Sequence, residues 1–266
     1  MRPLTIRKLM TLVFLAALLL AFFVVVLPSL PSFPHRHVNN PQNQCMSNIR
    51  QLGLGISGYT FREGRLPPGT IPNDDLPIER RLGWGVTILP YIDEVDYLPD
   101  RGKTPSEAAT LAWDDPIFAD LASHRPGITH CRSCPTRASY IAIAGLGVDA
   151  PSLTTSHKRA GIFGDNRRVT PADVKDGSST TMMLVESDSV PGPWFAGGRK
   201  TVRGLDPARQ PYIGPKHQFG GNHYGVAAVL FADGSAKFVS ETVDPKIFEA
   251  LSTMAGGEKI SADWDD

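Results

Sequence analysis

From Leu9 to Leu30 the chain carries no charged residue, and Leu, Val, Ala and Phe fill most of the positions. A helix of that length crosses a hydrocarbon core of about 30 Å. Arg2, Arg7 and Lys8 precede the run. The positive-inside rule then leaves the N-terminus in the cytoplasm and puts the rest of the chain outside. The competing expectation is a cleaved signal peptide, which has a shorter apolar core followed by a small-x-small site. Here the run ends in Leu27-Pro28-Ser29-Leu30-Pro31, which offers no such site. The expectation is a single-pass protein of the cytoplasmic (inner) membrane, with residues 1–30 as cytoplasmic N-terminus and transmembrane anchor.

The remainder reads as a short Pro/His linker (31–39), one extracytoplasmic domain (40–257) and a loose Asp/Trp-rich tail (258–266). Asn40-Pro41 is a helix start, because Asn caps and Pro suits the first helical position. Cys45, Ile49, Leu52, Ile56 and Tyr59 follow at helical spacing and form one apolar stripe ending near Gly64. Gly53, Gly55 and Gly58 weaken this helix intrinsically, so it must pack against something, and a sheet is expected. Trp84–Ile92 suits either a short helix or a strand, and residues 93–130 read as a long excursion. Strands are expected at Ser139–Ala144, Thr181–Glu186, Val226–Ala232 and Ala236–Ser240, with loop over the Gly- and Pro-rich residues 188–222. A short helix follows from Pro245 to Met254. The fold class is therefore α+β: an amphipathic helix on an antiparallel sheet, with long loops.

Asp233-Gly234 between the last two strands is a two-residue turn signal of the primed type. In that register Phe231, Val229 and Ala227 share a buried face with Ala236, Phe238 and Ser240, and His223 faces Asp244. His223 and Asp233 lie at opposite ends of an extended strand and cannot share a proton or a metal. Asp233-Gly234 is then the turn itself, and His223 is a hydrogen-bonded anchor at the base of the hairpin.

Few features point to catalysis. His130, Cys131 and Cys134, with His124 nearby, suggest zinc or a redox pair. A structural zinc site needs four ligands, and the spacing matches no finger. A redox C-x-x-C should open a helix after a strand, which residues 126–140 do not resemble. There is no nucleophile elbow, no H-E-x-x-H helix and no phosphate-binding loop. Trp194, Phe195 and Tyr212 suit either a binding surface or a cover for the core. The 27 basic residues balance 27 acidic ones, which gives nucleic acid no electrostatic footprint. No enzyme, cofactor or metal is expected, and no ligand can be named.

Several segments occur together in a recognisable order. They are Gln44-Cys45-Met46-Ser47-Asn48-Ile49-Arg50-Gln51-Leu52-Gly53, Gly64-Arg65-Leu66-Pro67-Pro68-Gly69, Trp84 with Leu89-Pro90-Tyr91, Cys134-Pro135-Thr136, Asp176-Gly177-Ser178-Ser179 with Glu186, and His223 followed after nine residues by Asp233-Gly234. This set resembles the pseudopilin-like group of planctomycete bacteria marked by the prepilin-type H-x9-DG motif, a domain of unknown function. The group's usual G-F-T-L-x-E start is replaced by Leu4-Thr5-Ile6-Arg7-Lys8-Leu9-Met10, with no acid inside the apolar run. The resemblance implies a structural or interaction protein, with the membrane and a type II secretion or type IV pilus-like apparatus as partners. The alternatives are an independent tethered ligand-binding module and an extracytoplasmic thiol oxidoreductase or metalloenzyme. Cys45 and Cys134 match cysteine positions of the group, which implies a disulfide between them with Cys131 left free. A Cys131–Cys134 bond, or none, remains open.

Overall fold

The helix expected after Asn40 forms as α1, Pro41–Glu63, and buries Cys45, Ile49, Leu52, Ile56 and Tyr59 along one side. Gly64, at φ +67°, ends it in the left-handed conformation favoured just beyond a helix C-terminus. The glycines that weaken α1 also let it approach its neighbours. A Cβ on Gly53 would meet Leu230 at 2.8 Å, and one on Gly55 would meet Ile92 at 2.5 Å. Close packing replaces the propensity that these positions forgo.

This is a computed structural model that describes residues 10, 14–17, 41–92, 105–123, 126–131, 140–261 and 264. The chain divides into two units, 1–39 and 40–266. Of the apolar run, residues 14–17 are helical and exposed, and most of the remainder lies outside the described residues. Among the described residues no helix is long and apolar enough to cross a membrane.

Among the described residues the sheet has five strands: β1 (Tyr140–Leu146), β2 (Met182–Glu186), β3 (Val202–Leu205), β4 (Val226–Phe231) and β5 (Ala236–Ser240). Their order is β3-β1-β2-β4-β5. The sheet is mixed and not wholly antiparallel as the sequence suggested, because β3 runs parallel to β1. β3 falls in the stretch read as loop. It is only four residues long and contains Gly204, whose missing Cβ would sit 1.9 Å from the carbonyl oxygen of Gly147. A strand interrupted by glycine to admit another backbone gives no alternating pattern to read.

Both sheet faces are covered. Ile49, Leu52 and Ile56 of α1 pack with Ala142, Leu184, Ala228 and Leu230. On the other face, Ile141, Ile143, Val185, Val229 and Phe231 pack with Phe248 and Leu251 of the C-terminal helix Pro245–Ser252. Burial on both sides explains why β4 reads as an unbroken apolar run. The Trp84–Ile92 segment resolves as a short helix, Trp84–Ile88, continued by a 3-10 turn, Leu89–Tyr91. Two more short helices, Pro105–Ala108 and Ala119–Ser123, interrupt the excursion after it. In the tail, the Trp264 ring stands 6.0 Å from that of Phe231.

The hairpin register differs by one residue from the expected one. Leu230 pairs with Ala236, Val229 with Lys237 and Ala228 with Phe238. Phe231 N donates to Ser235 O and Gly234 N to Phe231 O, so Ala232, Asp233 and Gly234 form a three-residue loop. Gly234 has φ +82°. This is the type I turn closed by a left-handed glycine, and not a primed two-residue turn. A slip of one exchanges faces. Ala227, Val229 and Phe231 therefore share their side with Val239, while Phe238 and Ala236 lie toward α1 with Ala228 and Leu230.

Between β1 and β2 the backbone is gathered around one buried cation. The Arg167 guanidinium donates to the carbonyls of Ala144, Ala150, Leu153, Gly161 and Phe163. Burial pulls its pKa down to about 10, so it stays charged at neutral pH.

Two substitutions probe this frame. Leu52→Ala should cost about 2–5 kcal/mol as a core truncation, read from an unfolding titration of the domain. A loss below about 1 kcal/mol would mean that α1 does not bury its stripe. Arg167→Met should cost more than about 3 kcal/mol, because it strips several buried carbonyls of a donor at once. Arg167→Lys should recover only part of that, since an ammonium cannot reproduce the planar fork.

Candidate functional site

The segment before β1 is fastened to the first turns of α1. The Asn48 side chain donates to Gly127 O at 3.0 Å and to His130 O at 2.9 Å. Gln44 in turn donates to Asn48 at 2.8 Å. That clamp brings Cys131 to Cys45, with Cα atoms 5.4 Å apart, and the two form a disulfide closing a sequence separation of 86 residues. The Tyr140 hydroxyl, at the start of β1, donates to the carbonyl of Cys45 at 3.2 Å.

The pairing corrects the Cys45–Cys134 disulfide that the family cysteine positions implied: Cys45 is bonded to Cys131, the cysteine expected to be free. The physical reason is the Asn48 clamp, which holds residues 127–130 on α1 and leaves Cys131 within bonding reach. Cys134 lies outside the described residues.

Two further groups of metal-ligating type converge on the same place. Glu186 ends β2 with its side chain fully buried, and His223 Nε2 lies 3.2 Å from Glu186 Oε1. Ala228 N donates to Glu186 Oε2 and Asn222 Nδ2 to Oε1, each at 3.2 Å. His223 Nε2 is also 3.5 Å from Cys131 Sγ. The imidazole stands edge-on to Phe238, with ring centres 6.2 Å apart. One ligand atom from each of Cys45, Cys131, Glu186 and His223 falls within 4.8 Å of the others, and all four residues are buried. A buried carboxylate is tolerable only when several donors meet it, and here an imidazole, an amide and a backbone N–H do so.

His223 is thus anchored at the base of the hairpin by Glu186, and not by Asp244 as the expected register had it. Asp244 instead caps the C-terminal helix by accepting from Lys246 N at 2.8 Å. Asp233 is at the hairpin tip, exposed, where it accepts from Ser235 N at 2.8 Å. His130 Nδ1 sits 3.2 Å from Pro126 O, and His124 lies outside the described residues. Trp194, Phe195 and Tyr212 belong to the core. The Tyr212 hydroxyl donates to Glu249 at 2.6 Å, and burial followed by that contact raises its pKa. Asp176, of the Asp-Gly-Ser-Ser segment, accepts from Gly256 N and Gly257 N at 2.7 and 2.9 Å and so tethers the chain leaving the last helix.

Sequence reasoning missed the meeting of Glu186 with the cysteines. An acid at the end of Met182–Val185 was the available signal: a strand buried on both faces has no reason to end in a carboxylate unless something meets it.

These features define the class of the domain: an α+β unit whose long helix is disulfide-bonded to the segment before β1 beside a buried His–Glu pair. Residues 42–246, well over half of the chain, match the family described as a protein of unknown function, DUF1559, and the chain belongs to that family. No curated protein and no solved structure matches it.

Peptide mapping of non-reduced protein should recover Cys45 and Cys131 in one linked peptide. A Cys45–Cys134 link would refute the assignment. In the chain-entropy account, Cys45→Ser should cost about 4–5 kcal/mol in a denaturant titration, less any compensating relaxation.

Proposed function

We propose that the chain is a membrane-anchored extracytoplasmic protein of pseudopilin-like type, with a structural or interaction role and no enzymatic activity. The observation that carries this reading is the Cys45–Cys131 disulfide in the domain that follows the apolar run. Disulfides persist in oxidising compartments and are rare in the cytosol. The basic residues ahead of Leu9 favour the same side of the membrane for the domain. A long helix laid on a sheet just after an apolar N-terminal run supports the pseudopilin-like comparison, as do the ordered motifs ending in His223 and Asp233-Gly234. A type II secretion or type IV pilus-like apparatus is the partner this reading entails.

An independent ligand-binding module is the second reading, and one observation favours it. An apolar cleft lined by Ile56, Phe61, Leu66, Val174 and Met183 opens beside the C-terminal half of α1, and Phe61 there is 94% exposed. An exposed aromatic at the mouth of an apolar cleft suits a ligand or a partner side chain.

Protease added to intact spheroplasts should digest residues 31–266, and full protection would reject the proposed topology. Cross-linking in the membrane from a photoreactive residue at position 61 should capture secretion or pilus-like subunits. Capture of a small molecule or lipid alone would favour the binding module instead.

A further inference from the structure

The disulfide occupies two corners of what is otherwise a four-ligand site. Two sulfurs, an imidazole nitrogen and a carboxylate oxygen converge in a buried space, supplied by α1, the segment before β1, the end of β2 and the base of the hairpin. A tetrahedral zinc ion with bonds of about 2.3 Å to sulfur and about 2.0–2.1 Å to nitrogen or oxygen needs ligand–ligand edges of roughly 3.5 Å for S–N and 3.3 Å for N–O. The Cys131 Sγ to His223 Nε2 distance is 3.5 Å, and His223 Nε2 to Glu186 Oε1 is 3.2 Å. These two edges are already set. The edge between the sulfurs is the one that must lengthen, to roughly 3.8 Å, and two thiolates separate once their bond is broken. Support around the ligands is also in place. The other carboxylate oxygen of Glu186 is held by Ala228 N, and Asn222 holds the ligating one. Outer hydrogen bonds of this kind fix the ligands of metal sites.

We propose that the dithiol form of this protein binds one thiophilic divalent cation of the zinc class through Cys45, Cys131, Glu186 and His223. Metal and disulfide are mutually exclusive occupants of the same two sulfurs. Reduction breaks the S–S bond: with a phosphine as reductant, water supplies the two thiol protons and the oxygen of the phosphine oxide. The cation then displaces both thiol protons to solvent and forms two metal–sulfur bonds. The oxidation state of the cluster thereby selects between a covalent staple from α1 to the segment before β1 and a metal staple that also takes in the end of β2. This goes beyond the proposed function and does not depend on it.

The test uses the full chain in detergent, unfolded with a phosphine reductant and refolded without oxygen while Co2+ is added. One equivalent should bind, with sulfur-to-cobalt charge-transfer bands in the near ultraviolet and the visible bands of a tetrahedral ion. Zn2+ should bleach both. Oxidised protein should show neither. The double variant Cys45→Ser/Cys131→Ser should abolish the charge-transfer bands, and each single variant should weaken them. His223→Gln and Glu186→Gln keep both thiols, and each should weaken Co2+ binding by more than about tenfold, since losing even an outer-shell partner costs about that much. Zn2+ should also shield Cys45 and Cys131 from alkylation. Lack of thiolate–cobalt bands in the reduced wild type, whether or not it refolds, overturns the proposal. So does wild-type affinity in both His223→Gln and Glu186→Gln.

Discussion

One face of the sheet depends on the seating of α1, above all against β4. α1 reaches β4 closely enough that Leu230 fills the space where Gly53 would carry a side chain. A helix with several glycines in its middle does not hold itself together in water. It exists because apolar burial along Ile49, Leu52 and Ile56 offsets the backbone entropy those glycines would otherwise retain. The disulfide at its N-terminal end works on the unfolded chain instead. It keeps α1 and the entrance to β1 near each other before any packing has formed.

α1 was legible almost to the residue, because a 3.6-residue stripe between a proline and a left-handed glycine leaves little choice. The antiparallel strands were legible for a similar reason, since compact runs of apolar residues bounded by turns have few other uses. β3 was not: four residues with an arginine and a glycine carry no period, and only Gly147 and its own parallel partner define it. The hairpin shows a subtler limit. Asp233-Gly234 announces a reversal, but the same dipeptide closes either a two-residue or a three-residue loop, and one residue decides which face Phe238 joins. The site was the least legible part. Its four members come from positions spread between residues 45 and 223, and only Asn48, reaching two carbonyls of a distant turn, selects Cys131.

The matched segments acquire distinct physical jobs once placed. The Gln-Cys segment of α1 supplies both the clamp and one sulfur. Asp176 holds the exit of the last helix, Glu186 and His223 form a buried pair, and Asp233-Gly234 merely turns the chain. His223 and Asp233 are therefore linked in sequence through the strand between them and not through shared chemistry. The histidine marks where the chain enters the sheet beside the disulfide, and the Asp-Gly pair marks where it reverses.

The cage around Arg167 has a kinetic corollary. Its carbonyls belong to β1, the turn after it and the stretch returning toward β2, so no single piece of chain can satisfy the cation in advance. The guanidinium surrenders its hydration only when all of these have assembled, and the connection between β1 and β2 closes as a unit rather than residue by residue. Opening it requires the guanidinium to give up several buried hydrogen bonds before water can replace them, which opposes piecemeal fraying of that lobe.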